Sequence, residues 1–238
     1  MIGAHDMGGM HHPEPVRPTD ADWRMAPWEL TVQALSQVGR LTHTDWNGHQ
    51  MRHLVESLPA VDYLTVPYYV RILHALEVMY AERGYFSAEE LAQRRREVRD
   101  GADPAGYPSA VEPAEVAELA SVVDAGLRRN QFVPLADAVR RYAEGDAVRG
   151  RTVAHAGHTR IPRYTWGRTG RIVRYVGTHP LPDVAARRGE RAPLEPVYQV
   201  VFDGRELWGD AAEPGTSVVV ELYESYLEPA PAPPKEEP

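Results

Sequence analysis

The chain has 238 residues, a formal charge of -8, 43% hydrophobic and 25% charged side chains, and no cysteine; this ordinary globular balance allows one large domain or two small ones. Without cysteine the chain can carry no disulfide framework, thiolate metal site or cysteine nucleophile. No apolar run approaches the roughly 20 residues of a transmembrane helix, and the start MIGAHDMGGMHH has neither the basic nor the apolar region of a secretory signal, so a soluble, cytoplasmic protein is expected.

The opening segment holds glycines and prolines (Gly3, Gly8, Gly9, Pro13, Pro15, Pro18) and little to bury. It reads as disordered or as an arm on another surface, because nothing offsets its ordering entropy. From Pro27, the positions Trp28, Val32, Leu35 and Val38 recur at helical spacing, with Gly39 as the expected end. A second helix is expected over Asn47–Leu58 and a third over Pro67–Arg83, stopped by Gly84. Ser87-Ala-Glu-Glu reads as a capping box opening a fourth helix that ends near Gly101. After the joint DPAGYPSAVEP a further helix runs from Pro113 to about Arg128. Beyond Pro134 the runs RIVRYV, PVYQVVF and SVVVELY, separated by Gly, Pro and Asp, predict a small antiparallel barrel or sandwich. The tail APAPPKEEP is too Pro-rich and charged to pack. The expected division is an extended arm over 1–22, a helical domain over 23–133, a β domain over 134–229 and a disordered tail over 230–238. The fold class is α+β.

Candidate chemistry is sparse. His11 and His12 are adjacent, a spacing that does not direct both rings at one ion, and no ligand partner stands nearby. The stretch Arg149–Arg191 carries ten arginines against Asp183 and Glu190, which suits nucleic-acid phosphates or an acidic partner protein. Its turn Gly167-Arg-Thr-Gly-Arg-Ile-Val resembles the KOW turn of ribosomal and transcription proteins, although the chain as a whole is acidic. Arg52 on a helix, Arg160 in the loop Gly157-His-Thr-Arg-Ile-Pro, and the Tyr68-Tyr69 pair after Pro67 read equally as surface charges and core aromatics. No Ser-His-Asp order, phosphate loop or dinucleotide fingerprint is present.

Four blocks together resemble the β subunit of nitrile hydratase: GAHDMGGM at 3–10; MRHLVESL at 51–58 with DYLTVPYY at 62–69; GHTRIPRY at 157–164 running into GRTGRIVRYVGTHPLPD at 167–183; and VYQVVFDGRELWGD at 197–210. Their order and spacing follow the family along nearly the whole chain. The resemblance implies a β domain built as a small SH3-like barrel and an N-terminal arm that embraces an α subunit. It also implies that this chain binds no cofactor itself: cobalt or iron sits in the α subunit, in a Cys-x-x-Cys-Ser-Cys loop with two oxidised cysteines. By block position, Arg52 and Arg160 are the family arginines that hydrogen-bond those oxygens. A rigid, permanently charged fork suits paired oxygens. Tyr68 matches a tyrosine at the substrate pocket. The implied reaction is hydration of a small-molecule nitrile to an amide, by an αβ pair that forms (αβ)2, with no nucleic acid or membrane involved.

Three departures stand out. HHPEPV at 11–16 stands where the family usually continues with a glycine-rich segment. LYESYL at 222–227 replaces a common LWEPYL pattern, and the region Val38–Gly48, where family members place bulky pocket residues, is small and polar here (Gly39, Thr42, Asn47, Gly48), which implies a roomier pocket. The rival readings are a thiocyanate hydrolase-type enzyme, whose equivalent chain is split in two whereas both halves are fused here, and a non-catalytic activator or metallochaperone of the α subunit, which resembles mainly the N-terminal half.

Overall fold

The computed structural model describes residues 3–6, 8, 24–43, 45–103, 117–118, 120–125, 139–152, 157–187 and 191–231. His11, His12, the tail from residue 232 and most of the expected arm lie outside these residues. The chain divides into two compact units, one of Thr19–Phe132 and one combining Met1–Pro18 with Val133–Pro238.

The first unit is helical: α1 (Pro27–Thr42), α2 (Gly48–Glu56), α3 (Ala60–Thr65), α4 (Tyr68–Ala81) and α5 (Ala88–Arg99), with residues 117–118 and 120–125 also helical. Local chemistry sets the boundaries. Pro27 occupies the first turn of α1, where its missing N–H is no loss, and Glu29 accepts the Ala26 N–H at 2.7 Å. The Asn47 side chain accepts the N–H groups of His49 (2.9 Å) and Gln50 (3.0 Å) at the start of α2. The expected capping box at Ser87 opens α5, its hydroxyl accepting from Glu90 N–H while Glu90 accepts from Ser87 N–H. Val32, Trp46, Leu76 and Met79 form the core, flanked by Met51, Leu54, Tyr69, Ile72 and Leu73, so α4 packs on both α1 and α2.

One expectation fails here. α1 does not stop at Gly39 but runs on to Thr42. Gly39 is buried against the Trp46 ring, where an added Cβ would stand 2.7 Å from ring carbons. It is small because the indole lies on it, and the room its missing side chain leaves is filled rather than opened as a pocket.

The second unit is a five-stranded antiparallel sheet of β1 (Ala147–Gly150), β2 (Thr169–Pro180), β3 (Leu194–Asp203), β4 (Ser217–Tyr223) and β5 (Leu227–Pro229), in the order β4-β3-β2-β1-β5. Tyr198, Val200 and Phe202 alternate along β3 and are wholly buried, facing Leu222, Val220 and Val218 across the β4 pairing, as a half-buried strand requires. They join Val148, Ile161, Ile172, Tyr226 and Leu227 in one core. Two register shifts bend β2 against β3. Among the described residues, the edge strands β4 and β5 do not pair with each other, so the sheet is open rather than a closed barrel. The described N-terminal residues belong to this unit: Asp6 Oδ1 accepts the Arg163 N–H at 3.5 Å and Gly8 lies against the Tyr164 ring.

Candidate functional site

Arg52 lies on the exposed face of α2, held by the Asn47 cap and by buried Gln50 beneath. Its guanidinium forms no hydrogen bond or ion pair with another described residue. Tyr68 begins α4, the helix packed on α2, and is 60% exposed. Its ring is fixed on two sides. The Arg71 guanidinium sits 5.6 Å from its centroid and 4.8 Å from that of Tyr63, while Nη1 of Arg71 donates to the Tyr63 carbonyl at 3.0 Å. Tyr69 meets the Tyr68 ring edge-on at 5.1 Å. A phenol held in this way, with its rim exposed, can present its hydroxyl to a bound molecule. Arg52 and Tyr68 thus stand on packed helices of one unit.

Arg160 is carried by the other unit, in the loop ahead of β2. That loop is pinned at both ends: His158 and Ile161 are buried to 2% and 3% exposure, and the Pro162 carbonyl accepts both the N–H (3.0 Å) and the hydroxyl (2.7 Å) of Thr165. Between these anchors the Arg160 side chain is exposed while its backbone N–H donates to Tyr226 Oη at 3.2 Å. Tyr226 Oη in turn donates to the Asp183 carboxylate. Arg160 borders a concavity of about 380 Å³ with Pro162, Tyr164, Val219, Glu221 and Tyr223.

The surroundings of Arg160 are mixed in charge. Burial pushes the Tyr223 phenol up to about 12; Arg160 pulls it down, and Asp183, Glu195 and Glu221 push it further up. Burial, with Asp183 beside it, also raises Tyr226 well above the ordinary phenol range, so both tyrosines are neutral hydrogen-bonding groups at neutral pH.

Four arginines of the basic stretch around this loop help hold the unit together. Arg149 Nε donates to the Gly167 carbonyl (3.0 Å), Arg171 to that of Gly145 (2.7 Å), Arg151 to that of Ser225 (3.3 Å), and Arg174 to Gln199 Oε1 (2.9 Å). Of the two arginines in the KOW-like turn, Arg171 is one of these ties. Among the described residues, no group of three or more His, Asp or Glu side chains gathers to hold a metal, and the chain has no cysteine.

Sequence reasoning missed Tyr226 and Asp183. Their only signal was positional: Tyr226 is the tyrosine common to LYESYL and LWEPYL, and Asp183 closes the long third block.

The chain matches two family models, "Nitrile hydratase beta subunit, N-terminal" over residues 1–122 and "Nitrile hydratase beta subunit, C-terminal" over residues 134–229. It is 32% identical over 232 residues to the low-molecular weight cobalt-containing nitrile hydratase subunit beta of Rhodococcus rhodochrous, covering 97% of this chain and 100% of that one. It is 31% identical over 231 residues to the cobalt-containing nitrile hydratase subunit beta of Pseudonocardia thermophila, covering 96% of each. Among solved structures, a recombinant apo form of thiocyanate hydrolase from Thiobacillus thioparus aligns with TM-score 0.36 and 33% identity over 38% of this chain and 76% of that one. The chain belongs to the nitrile hydratase beta subunit family.

Proposed function

We propose that this chain completes a nitrile hydratase by docking on an α subunit that holds cobalt or iron, and that the αβ pair, assembled as (αβ)2, hydrates nitriles to amides. The observation that carries the reading is the match to both halves of the family model along one continuous chain. That continuity also favours it over the thiocyanate hydrolase and activator readings, and relatives bearing cobalt in their names support the metal. We further infer a cytoplasmic location and an SH3-like course for the strands of the second unit, on the strength of five antiparallel strands bent by bulges.

In this reading Arg52 and Arg160 donate paired N–H groups to the oxygens of the partner's oxidised cysteines. Two features support it: both guanidiniums are exposed and lack ion-pair partners among the described residues, and a bidentate, always-charged donor holds an oxyanion better than an ammonium does. The partner's metal, when bound, supplies Lewis acidity toward the nitrile or an activated oxygen nucleophile. Tyr68, braced by Arg71 and Tyr69, directs its hydroxyl at the bound nitrile or the arginine network. The test is a tagged pull-down of this chain from its own cell extract with mass spectrometry of what co-purifies. A stoichiometric partner containing Cys-x-x-Cys-Ser-Cys is the expected result; recovery of the chain alone, or with nucleic acid, overturns the reading.

A further inference from the structure

We propose that Tyr226 and Asp183 form a positioning pair that sets the reach of Arg160; the proposal rests on the reading of Arg160 given above. The Tyr226 hydroxyl is where three segments of the second unit meet. It accepts the Arg160 N–H at 3.2 Å, it is hydrogen-bonded by the Thr159 side chain, and it donates to Asp183 at the first turn of the short helix Pro182–Ala185. The partners lie 66 and 43 positions away along the chain, so the contact is tertiary rather than a turn's own bond.

The direction of each bond follows from the donors available. A backbone N–H can only give a proton, so Tyr226 Oη must accept from Arg160 and send its own proton elsewhere. The Asp183 carboxylate is the group that takes it. Asp183 therefore acts on Arg160 through the phenol: remove the carboxylate and the hydroxyl loses the acceptor that orients it. The phenol itself cannot drift, because Tyr226 is 3% exposed, belongs to the core with Ile161 and Leu227, and meets Tyr223 edge-on at 5.5 Å.

The consequence is a division of labour within the loop. Ile161 and His158 bury the flanks, which fixes where the loop lies. The N–H···Oη bond fixes the rotation of the peptide unit from which the Arg160 side chain springs. A long, exposed side chain amplifies a small rotation at its root, and displacements of about 1 Å at a reacting centre cost up to about 100-fold in rate.

The experiment uses the complete complex with the α subunit, carrying wild-type, Tyr226→Phe, Asp183→Asn, Asp183→Ala or Phe202→Leu β chains. Phe202 is a wholly buried core residue of β3 and serves as the packing control. Two readouts are taken: hydrogen exchange of the 157–162 segment, and kcat and KM for nitrile hydration. The expected result for Tyr226→Phe is faster exchange at the Arg160 amide and a kcat lower by about tenfold, with KM within twofold. Asp183→Asn, which keeps an acceptor, loses less than Asp183→Ala. Adding Tyr226→Phe to Arg160→Lys costs nothing further, because both act through one contact. Phe202→Leu lowers Tm without either change. Wild-type exchange and kcat in Tyr226→Phe, or an equal kcat loss in Phe202→Leu at matched Tm, overturns the proposal. A wild-type complex that hydrates no nitrile overturns the functional reading instead, and the exchange measurement then still decides whether Tyr226 holds Arg160.

Discussion

Gly39 lies face-on beneath the Trp46 indole, so close that a methyl group added at Gly39 would meet ring carbons at 2.7 Å. The ring has nowhere to retreat. It is 4% exposed, His43 stacks on it at 5.8 Å, Tyr80 meets it edge-on at 5.0 Å, and the Arg83 guanidinium, tied to Asp45 at 2.9 Å, covers it at 4.9 Å. Two effects compete in Gly39→Ala: helix propensity favours alanine by about 1 kcal/mol, and overpacking costs about 1–3 kcal/mol. The clash wins, and we expect net destabilisation of up to about 2 kcal/mol in urea unfolding, with a shift in Trp46 fluorescence. Unchanged or increased stability would show that the ring moves freely.

Arg52→Lys and Arg160→Lys each leave the αβ complex intact by gel filtration while lowering kcat by about 100-fold, the scale for losing one preorganised donor to a developing anion. Lysine keeps the charge and loses the fork. Both positions are exposed within their own units, so stability of this chain is expected to stay the same. Near-normal turnover in both variants removes their assigned role.

The Tyr223 phenol sets an alkaline limit. Its folded value, about 12, lies above the ordinary phenol value, so the folded state favours the neutral form. Its contribution to stability is complete below about pH 10 and is lost as pH rises from there through about 12. An ultraviolet titration should therefore show phenolates that appear late, and Tyr223→Phe should remove one of them and lessen the fall in stability between about pH 10 and 12. A Tyr223 that ionises with the exposed tyrosines contradicts the burial described for it.

The capping box at α5 makes the opposite prediction at acid pH. Glu90 is held below the ordinary carboxylate range by its hydrogen bonds with Ser87. Its contribution is present above that ordinary range and disappears as pH falls through the lowered value. Ser87→Ala should cost about 1 kcal/mol near neutral pH and less in acid. Amide exchange across Ala88–Arg99 reads both; an equal cost at both pH values would separate the cap from Glu90.

The sequence made the helical half readable where caps and stops were explicit. Asn47, Pro67, Ser87 and Pro27 each stand within one residue of a helix start. Gly39 misled because a glycine in a helix can serve close packing as well as termination, and periodicity does not see a tryptophan seven residues on. α3, six residues between Pro59 and Pro67, and the strands β1 and β5, of four and three residues, are too short to establish a period. The site was less legible than the fold. Arg52 and Arg160 stand out only through the family blocks, since a lone arginine carries no local pattern. Tyr226 and Asp183 were invisible for a topological reason: they come together only when the turn after β2 and the turn after β4 close over one loop.

The most direct test is amide formation by purified complex. The α subunit is produced with and without this chain, loaded with cobalt or iron, and supplied with a simple aliphatic and a heteroaromatic nitrile while amide is followed by chromatography. Amide is expected from the paired chains and essentially none from either alone, with the activity of the pair lowered about 100-fold in Arg160→Lys. Full activity from the α subunit by itself, or none from a correctly assembled and metal-loaded pair, would contradict it.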